Sequence, residues 1–255
     1  MSGSADGDLT PRLRVGLVGA GRAGVVLGAA LERVGHRVVA VSAVSDISRE
    51  RAAMSLPHSD IRDAADVVKD VDLVLIAVPD DELPDLVSGL AATGSLHPGQ
   101  ILVHTSPAVG ISVLEPAVSA DVLPLAIHPA VTLGGRPSDV DRLRGAVFAV
   151  TTLRSLRPLG EALVIEMGGE PVWVEEEDRP AYAAALAAVR EGMLGVLGAA
   201  GRVLSDCGIP NPTLVLAPLV SATAEEAWSG SSVARGLSPH TDPSELPGSD
   251  PEEPQ

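Results

Sequence analysis

VGLVGAGRAGVVLGAALERVGHRVVAV, residues 15–41, is the stretch that decides how the rest of the chain is read. It opens on an aliphatic, β-branched run and passes through Gly19, Gly21 and Gly24, spaced G-x-G-x-x-G. It then continues with apolar residues at helical spacing and closes on a second β-branched run. Strand, tight turn, helix and strand within about thirty residues make a βαβ unit with parallel strands. Gly19 permits the tight turn, Gly21 lets the backbone approach a pyrophosphate, and Gly24 allows the helix to pack closely on the sheet. A pyrophosphate there meets free amides and the positive end of a helix dipole. A dinucleotide is therefore expected on Gly19, Gly21, Arg22, Ala23 and Gly24.

Further short runs alternate with amphipathic stretches. They are RVVAVS (37–42), DLVLIAV (72–78), QILVHT (100–105), VLPLAIH (122–128) and AVFAVT (146–151), alongside LRVGLV (13–18). The near-continuous apolarity of DLVLIAV implies that both of its faces are covered, as in a central strand. The expected fold is α/β, a doubly wound and mostly parallel sheet followed by a short α-helical C-terminal domain. After residue 152 the pattern turns helical: a helix stopped by Gly168 and Gly169, one short extended run, then a long helix from about Asp178 to Asp206. That helix carries Gly192, Gly195, Gly198 and Gly201 at a spacing of three, a flat face that permits another helix to approach, within the domain or across a dimer. The expected divisions are a flexible leader (1–12), a dinucleotide-binding domain (13–152), an abbreviated helical domain (153–230) and a disordered acidic tail (231–255).

Composition narrows the function classes. With 45% apolar residues the chain can build a sizeable core, but only 2% are aromatic, which leaves little to stack on exposed bases. A net charge of −16 with one lysine, Lys69, repels phosphate backbones and anionic lipid, so neither nucleic acid nor membrane is an expected partner. Cys207 is the single cysteine, which excludes an internal disulfide and a cysteine-rich metal site. No metal site is expected. No run approaches 18 uninterrupted apolar residues and the first ten are polar and acidic, so a soluble, cytoplasmic protein is expected.

The end of the second strand distinguishes cofactors. NAD sites place a carboxylate there for the ribose 2′-hydroxyl, whereas a 2′-phosphate wants hydroxyls and an arginine. Ser42, Ser45 and Arg49 favour NADP over NAD, with Asp46 the residue that would reverse the choice unless it serves a turn or helix start. Ligands of open α/β sheets lie beyond the carboxyl ends of the strands. Those ends carry AVPDD, with Val78 and Pro79 beside the cofactor, then HTSP and IHPA. Thr105, Ser106 and His128 thus become candidate catalytic residues, His128 as proton donor to a carbonyl receiving hydride. His104, at the end of a buried run, reads as a core or supporting histidine, and Asp80, Asp81 and Glu82 as the start of a helix.

From Leu13 to Ala187, and most specifically in GAGRAG, VVAVSAVSDISRERA, LPLAIHPAVT and VIEMGGEPVWVEEEDRPAYAAALA, the chain resembles a family of two-domain proteins. Members have a Rossmann-like N-terminal domain and a helical C-terminal domain, and are found beside pantothenate-synthesis genes in high-GC bacteria. The family is similar to ketopantoate reductase, pyrroline-5-carboxylate reductase and the 6-phosphogluconate dehydrogenase group. The resemblance implies a nicotinamide-dependent oxidoreductase acting on a small carbonyl compound, with 2-dehydropantoate suggested by gene context. The glycine face of the long helix adds the expectation of a homodimer through the helical domain.

Three departures stand against that pattern. HTSPAVG replaces HTSGA, so Pro107 removes an amide and restricts Ser106. AVREGMLGVLG replaces a helix bearing histidine and asparagine, and the helical domain is short. These favour a competing reading, a catalytically silent dinucleotide-binding protein with a regulatory or scaffolding role.

Overall fold

A computed structural model describes residues 12–230; most of the expected leader and the expected acidic tail lie outside the described residues. The chain runs β1 (Arg14–Val18), α1 (Arg22–Arg33), β2 (Arg37–Ser42), α2 (Asp46–Ser55), β3 (Asp60–Ile61), α3 (Ala64–Val67), β4 (Leu73–Ile76) and α4 (Leu83–Ala92). It continues through β5 (Ile101–His104), α5 (Glu115–Val118), β6 (Leu123–Pro129), β7 (Val147–Thr152), α6 (Arg157–Glu166), β8 (Glu170–Trp173), α7 (Arg179–Asp206) and α8 (Pro212–Gly230). The eight strands form one sheet in the order β3-β2-β1-β4-β5-β6-β7-β8. Every pairing is parallel except β6 with β7.

Alternation along the strands explains the layering. Val15, Leu17, Leu73 and Leu75 join one buried apolar cluster with Leu27 and Leu31 of α1 and Leu163 of α6. Val18, Val74 and Ile76 join another with Val67 of α3 and Val87 of α4. Because strand side chains alternate between faces, both faces of the sheet are covered, which is why β4 is buried at all four residues.

Strand order reverses between β1 and β4, so their carboxyl ends diverge into loops that open a crevice. The Ala77 amide donates to Val18 O at 2.8 Å and the Thr105 amide to Ile76 O at 3.1 Å, fixing the loops after β4 and β5 in register.

The compact unit holding the sheet extends to Ala187. The extended run Glu170–Trp173, expected within the helical part, pairs in parallel with β7 as β8, and α6 packs on the same sheet. The second unit begins at Ala188. It contains the rest of α7, unbroken through its four glycines, and α8. A Cβ placed on Gly192, Gly195 or Gly201 would meet no described residue within 4 Å, and Val189, Val196, Val203 and Leu214 stand exposed among the described residues. The helical stretch Glu176–Asp206 is long and apolar enough to cross a membrane by length and composition alone, although no uninterrupted apolar run of that length marks it in the sequence.

Candidate active site

A cavity of about 360 Å³ lies over the carboxyl ends of β1, β4, β5 and β6. Gly21, Arg22 and Ala23 form one side, Val78 and Pro79 the next, and Thr105, Pro107 and His128 the far side. Its volume falls in the range of small-molecule and cofactor clefts, about 300–1,000 Å³.

The glycine turn is shaped for a ligand. Gly19 has φ +99°, and a Cβ there would stand 2.6 Å from Ala77 O; on Gly24 it would run into Gly19 O. The fold itself requires these two glycines. Gly21 is different: its Cβ would meet only Ala77 O, at an ordinary 3.6 Å. Nothing among the described residues explains the bare backbone at Gly21, whereas a phosphate resting on it would. Gly21 is also the N-cap of α1 with no side-chain capping bond, and the first turn holds no acidic residue. The opening amides of the helix have no side-chain cap, and Arg22 lines the same wall. These residues fit a dinucleotide pyrophosphate.

At the end of β2, the backbone oxygen of Ser42 accepts from the amides of Gly19 (3.2 Å) and Ala20 (3.0 Å), tying this strand end to the turn. Ser45 caps α2, its hydroxyl accepting from the Ser48 amide at 3.2 Å. Asp46 is the first helical residue, not the cap, and ion-pairs at 3.3 Å with Arg49. The Arg49 Nε also donates to Ala43 O at 3.3 Å, which folds its guanidinium back over the strand end.

The loop after β5 is held from three directions. Because the Ser106 amide donates to His104 Nδ1 (3.2 Å), that nitrogen is the acceptor, and Nε2–H donates to Gly110 O at 2.8 Å. His104 is fully buried, and burial pushes its pKa down to about 4. It is a supporting residue, as the sequence suggested. The Glu176 carboxylate accepts from the amides of Ile111 (2.8 Å) and Ser112 (3.1 Å). Ser106 is buried with its hydroxyl accepting from the Ala108 amide at 3.1 Å, and it does not line the cavity; Thr105 does. Asp80 and Asp81 lie in a turn that leads through Glu82, the N-cap, into α4.

His128 ends β6 on the cavity wall, and its Nδ1 lies 2.9 Å from the hydroxyl of Tyr182 in α7, the two rings meeting edge-on. Beneath them is Arg179, with no accessible surface. Its Nε donates to Thr151 Oγ1 (2.7 Å), one Nη to Ser106 O (3.2 Å), and the other to Ala126 O (2.9 Å) and Ala149 O (3.1 Å). Burial lowers its pKa to about 10, so it stays charged at neutral pH. No ion pair to it is present among the described residues. Burial first, and the Arg179 charge second, lower the His128 pKa to about 4. At neutral pH this imidazole is uncharged. Tyr182 and Arg179 escaped the sequence reading; the RPAY opening of the long helix was their only trace. Among the described residues no grouping of three His, Cys, Asp or Glu side chains could hold a metal ion.

Residues 2–129 match the model of the Rossmann-like domain. The chain belongs to the Rossmann-like domain family. Residues 146–236 of this Rossmann-like protein match a domain of unknown function, DUF2520. None of the curated proteins matches the sequence. Among solved structures, the chain is similar to a provisionally named NADP oxidoreductase from Bacteroides fragilis, with 20% identity and a TM-score of 0.71 over 91% of this chain and 85% of that one. An imine reductase from Myxococcus stipitatus, solved in complex with NADP+, shows 21% identity and a TM-score of 0.65 over 92% and 81%. Pyrroline-5-carboxylate reductase from Coxiella burnetii shows 17% and 0.61 over 92% and 87%. At these identities the likeness establishes the fold.

Proposed function

We propose that the chain is an NADP-dependent oxidoreductase that reduces a small carbonyl or imine compound, 2-dehydropantoate being the first candidate. The observation that carries this is the cavity itself, which joins the pyrophosphate-shaped turn at Gly21–Ala23 to a polar wall at Thr105 and His128. The names of the similar structures, two of them referring to NADP, support the choice of cofactor. Arg22 and the opening amides of α1 hold the pyrophosphate, Val78 and Pro79 border the nicotinamide side, and Ser42, Ser45 and Arg49 surround the 2′-phosphate. Bound NADPH supplies a hydride. Thr105 hydrogen-bonds the substrate, Ser106 fixes the loop beneath it through its bonds to Ala108 and Arg179, and His128 holds the proton destined for the reduced atom. The exposed apolar residues and open glycine face of α7 and α8 serve a homodimer.

The test is NADPH oxidation with 2-dehydropantoate, then with a panel of 2-oxo acids and cyclic imines, in the native chain and in His128→Ala. Turnover that vanishes in the variant while NADPH still binds supports the reductase. Pro107 in the cavity wall favours the second reading, a silent dinucleotide-binding protein with a regulatory or scaffolding role. NADPH binding with no turnover across the panel decides for that one.

A further inference from the structure

His128 presents a chemical difficulty for the reductase just proposed. It is the imidazole on the cavity wall, yet it lies half-buried near the Arg179 guanidinium and is neutral at neutral pH. A neutral imidazole that gives up a proton is left as a strongly basic anion unless a second proton replaces the first. The geometry provides one. Nδ1 is engaged at 2.9 Å by the Tyr182 hydroxyl, while Nε2 makes no hydrogen bond to any described residue.

We propose that Tyr182 and His128 form a proton relay into the cavity, with Tyr182 as a positioning and proton-supplying residue that acts through His128. The inference rests on the reductase reading and assigns the origin of its proton. As the carbonyl carbon accepts hydride from NADPH, the C=O π pair moves onto oxygen. An O–H bond forms to that oxygen as the His128 Nε2–H bond breaks, and Nδ1–H forms as the Tyr182 O–H bond breaks. The imidazole ends neutral in its other tautomer, and the phenolate recovers its proton from water. The substrate gains one hydride and one proton, and NADPH becomes NADP+.

Arg179 fits this direction of transfer. Its guanidinium cannot rotate away, being held by Thr151, Ser106, Ala126 and Ala149. Burial raises the Tyr182 pKa above the usual phenol value, so the hydroxyl keeps its proton at rest, and the Arg179 charge offsets part of the cost of its release. The same charge opposes a protonated His128. It therefore disfavours storage of the proton on the imidazole and favours its passage through. Tyr182 is only half-buried, which leaves its oxygen a route to solvent for reprotonation.

The test uses the full chain, with histidines labelled in ¹⁵N, and Tyr182→Phe, which keeps the edge-on ring contact and removes the hydroxyl. At pH 7, His128 should be neutral with Nε2 protonated and Nδ1 accepting. In steady state, Tyr182→Phe should lower kcat on the order of 10²-fold, the lower range for one proton-transfer group, with the NADPH affinity unchanged. The solvent-isotope proton inventory should fall from two protons in flight to one. A wild-type His128 protonated at Nδ1, or Tyr182→Phe turning over at the native rate, overturns the relay while leaving the reductase intact. A wild type that oxidises NADPH with no compound of the panel overturns the reductase and, with it, any proton path.

Discussion

Arg179 has lost all contact with water and has no carboxylate in salt-bridge range among the described residues, a costly state that is tolerated when every donor is used. Its four bonds join the loop after β5 to β6 and β7 at the cavity floor. Arg179→Met removes the shared donor of three carbonyls and Thr151, and should cost about 3 kcal/mol or more in stability. Urea unfolding measures this; a loss below about 1 kcal/mol would mean the carbonyls find other partners.

The two histidines of the site make a separate prediction. His104 and His128 both titrate near 4 in the folded chain against about 6.5 when unfolded. Between those values the unfolded chain binds more protons. Stability contributed by the pair is thus complete above about pH 6.5 and drains away as the pH falls towards 4, by a few kcal/mol at about 1.36 kcal/mol per unit. Urea midpoints measured from pH 8 to pH 4 should fall through this window, and His104→Gln should remove about half of the slope. A flat profile would contradict the neutral state of both rings in the folded chain.

Among the elements, the turn between β1 and α1 separates what folding needs from what a ligand needs. Gly24→Ala drives a Cβ into Gly19 O and should destabilise the chain by about 1–3 kcal/mol. Gly21→Ala meets no close protein atom, so thermal stability should stay within about 1 kcal/mol, the scale of an N-cap change. Its NADPH affinity should nonetheless fall by at least about tenfold. Melting curves and nucleotide titrations on the two variants check this; equal affinity in Gly21→Ala would remove the pyrophosphate from that turn.

The same contrast sets what could be read from the amino acids. β1, β2 and β4 to β7 were visible because buried parallel strands are written as β-branched runs, and the turn because its glycines have local causes. β3 has only two residues, both exposed, and leaves no pattern. β8 was seen as an extended run, but its membership of the sheet depends on β7, which local sequence does not encode. His128 was legible from its strand end. Arg179 and Tyr182 were not, since the partners of Arg179 are mainly backbone carbonyls and that of Tyr182 lies 54 residues away.

For the whole molecule, a 26.0 kDa chain with valines and leucines exposed along α7 and α8 is expected to associate. Light scattering should give twice the chain mass at micromolar concentration; a monomer at tens of micromolar would exclude the dimer. The central claim, that this molecule takes NADP at its glycine turn to do reductive chemistry, is tested most directly by fluorescence titration of the purified chain with NADPH and, separately, NADH. The expected result is tight NADPH binding with NADH at least about tenfold weaker, the difference largely lost in Arg49→Ala. Binding of neither nucleotide would contradict the claim and leave the sheet and its turn as a scaffold alone.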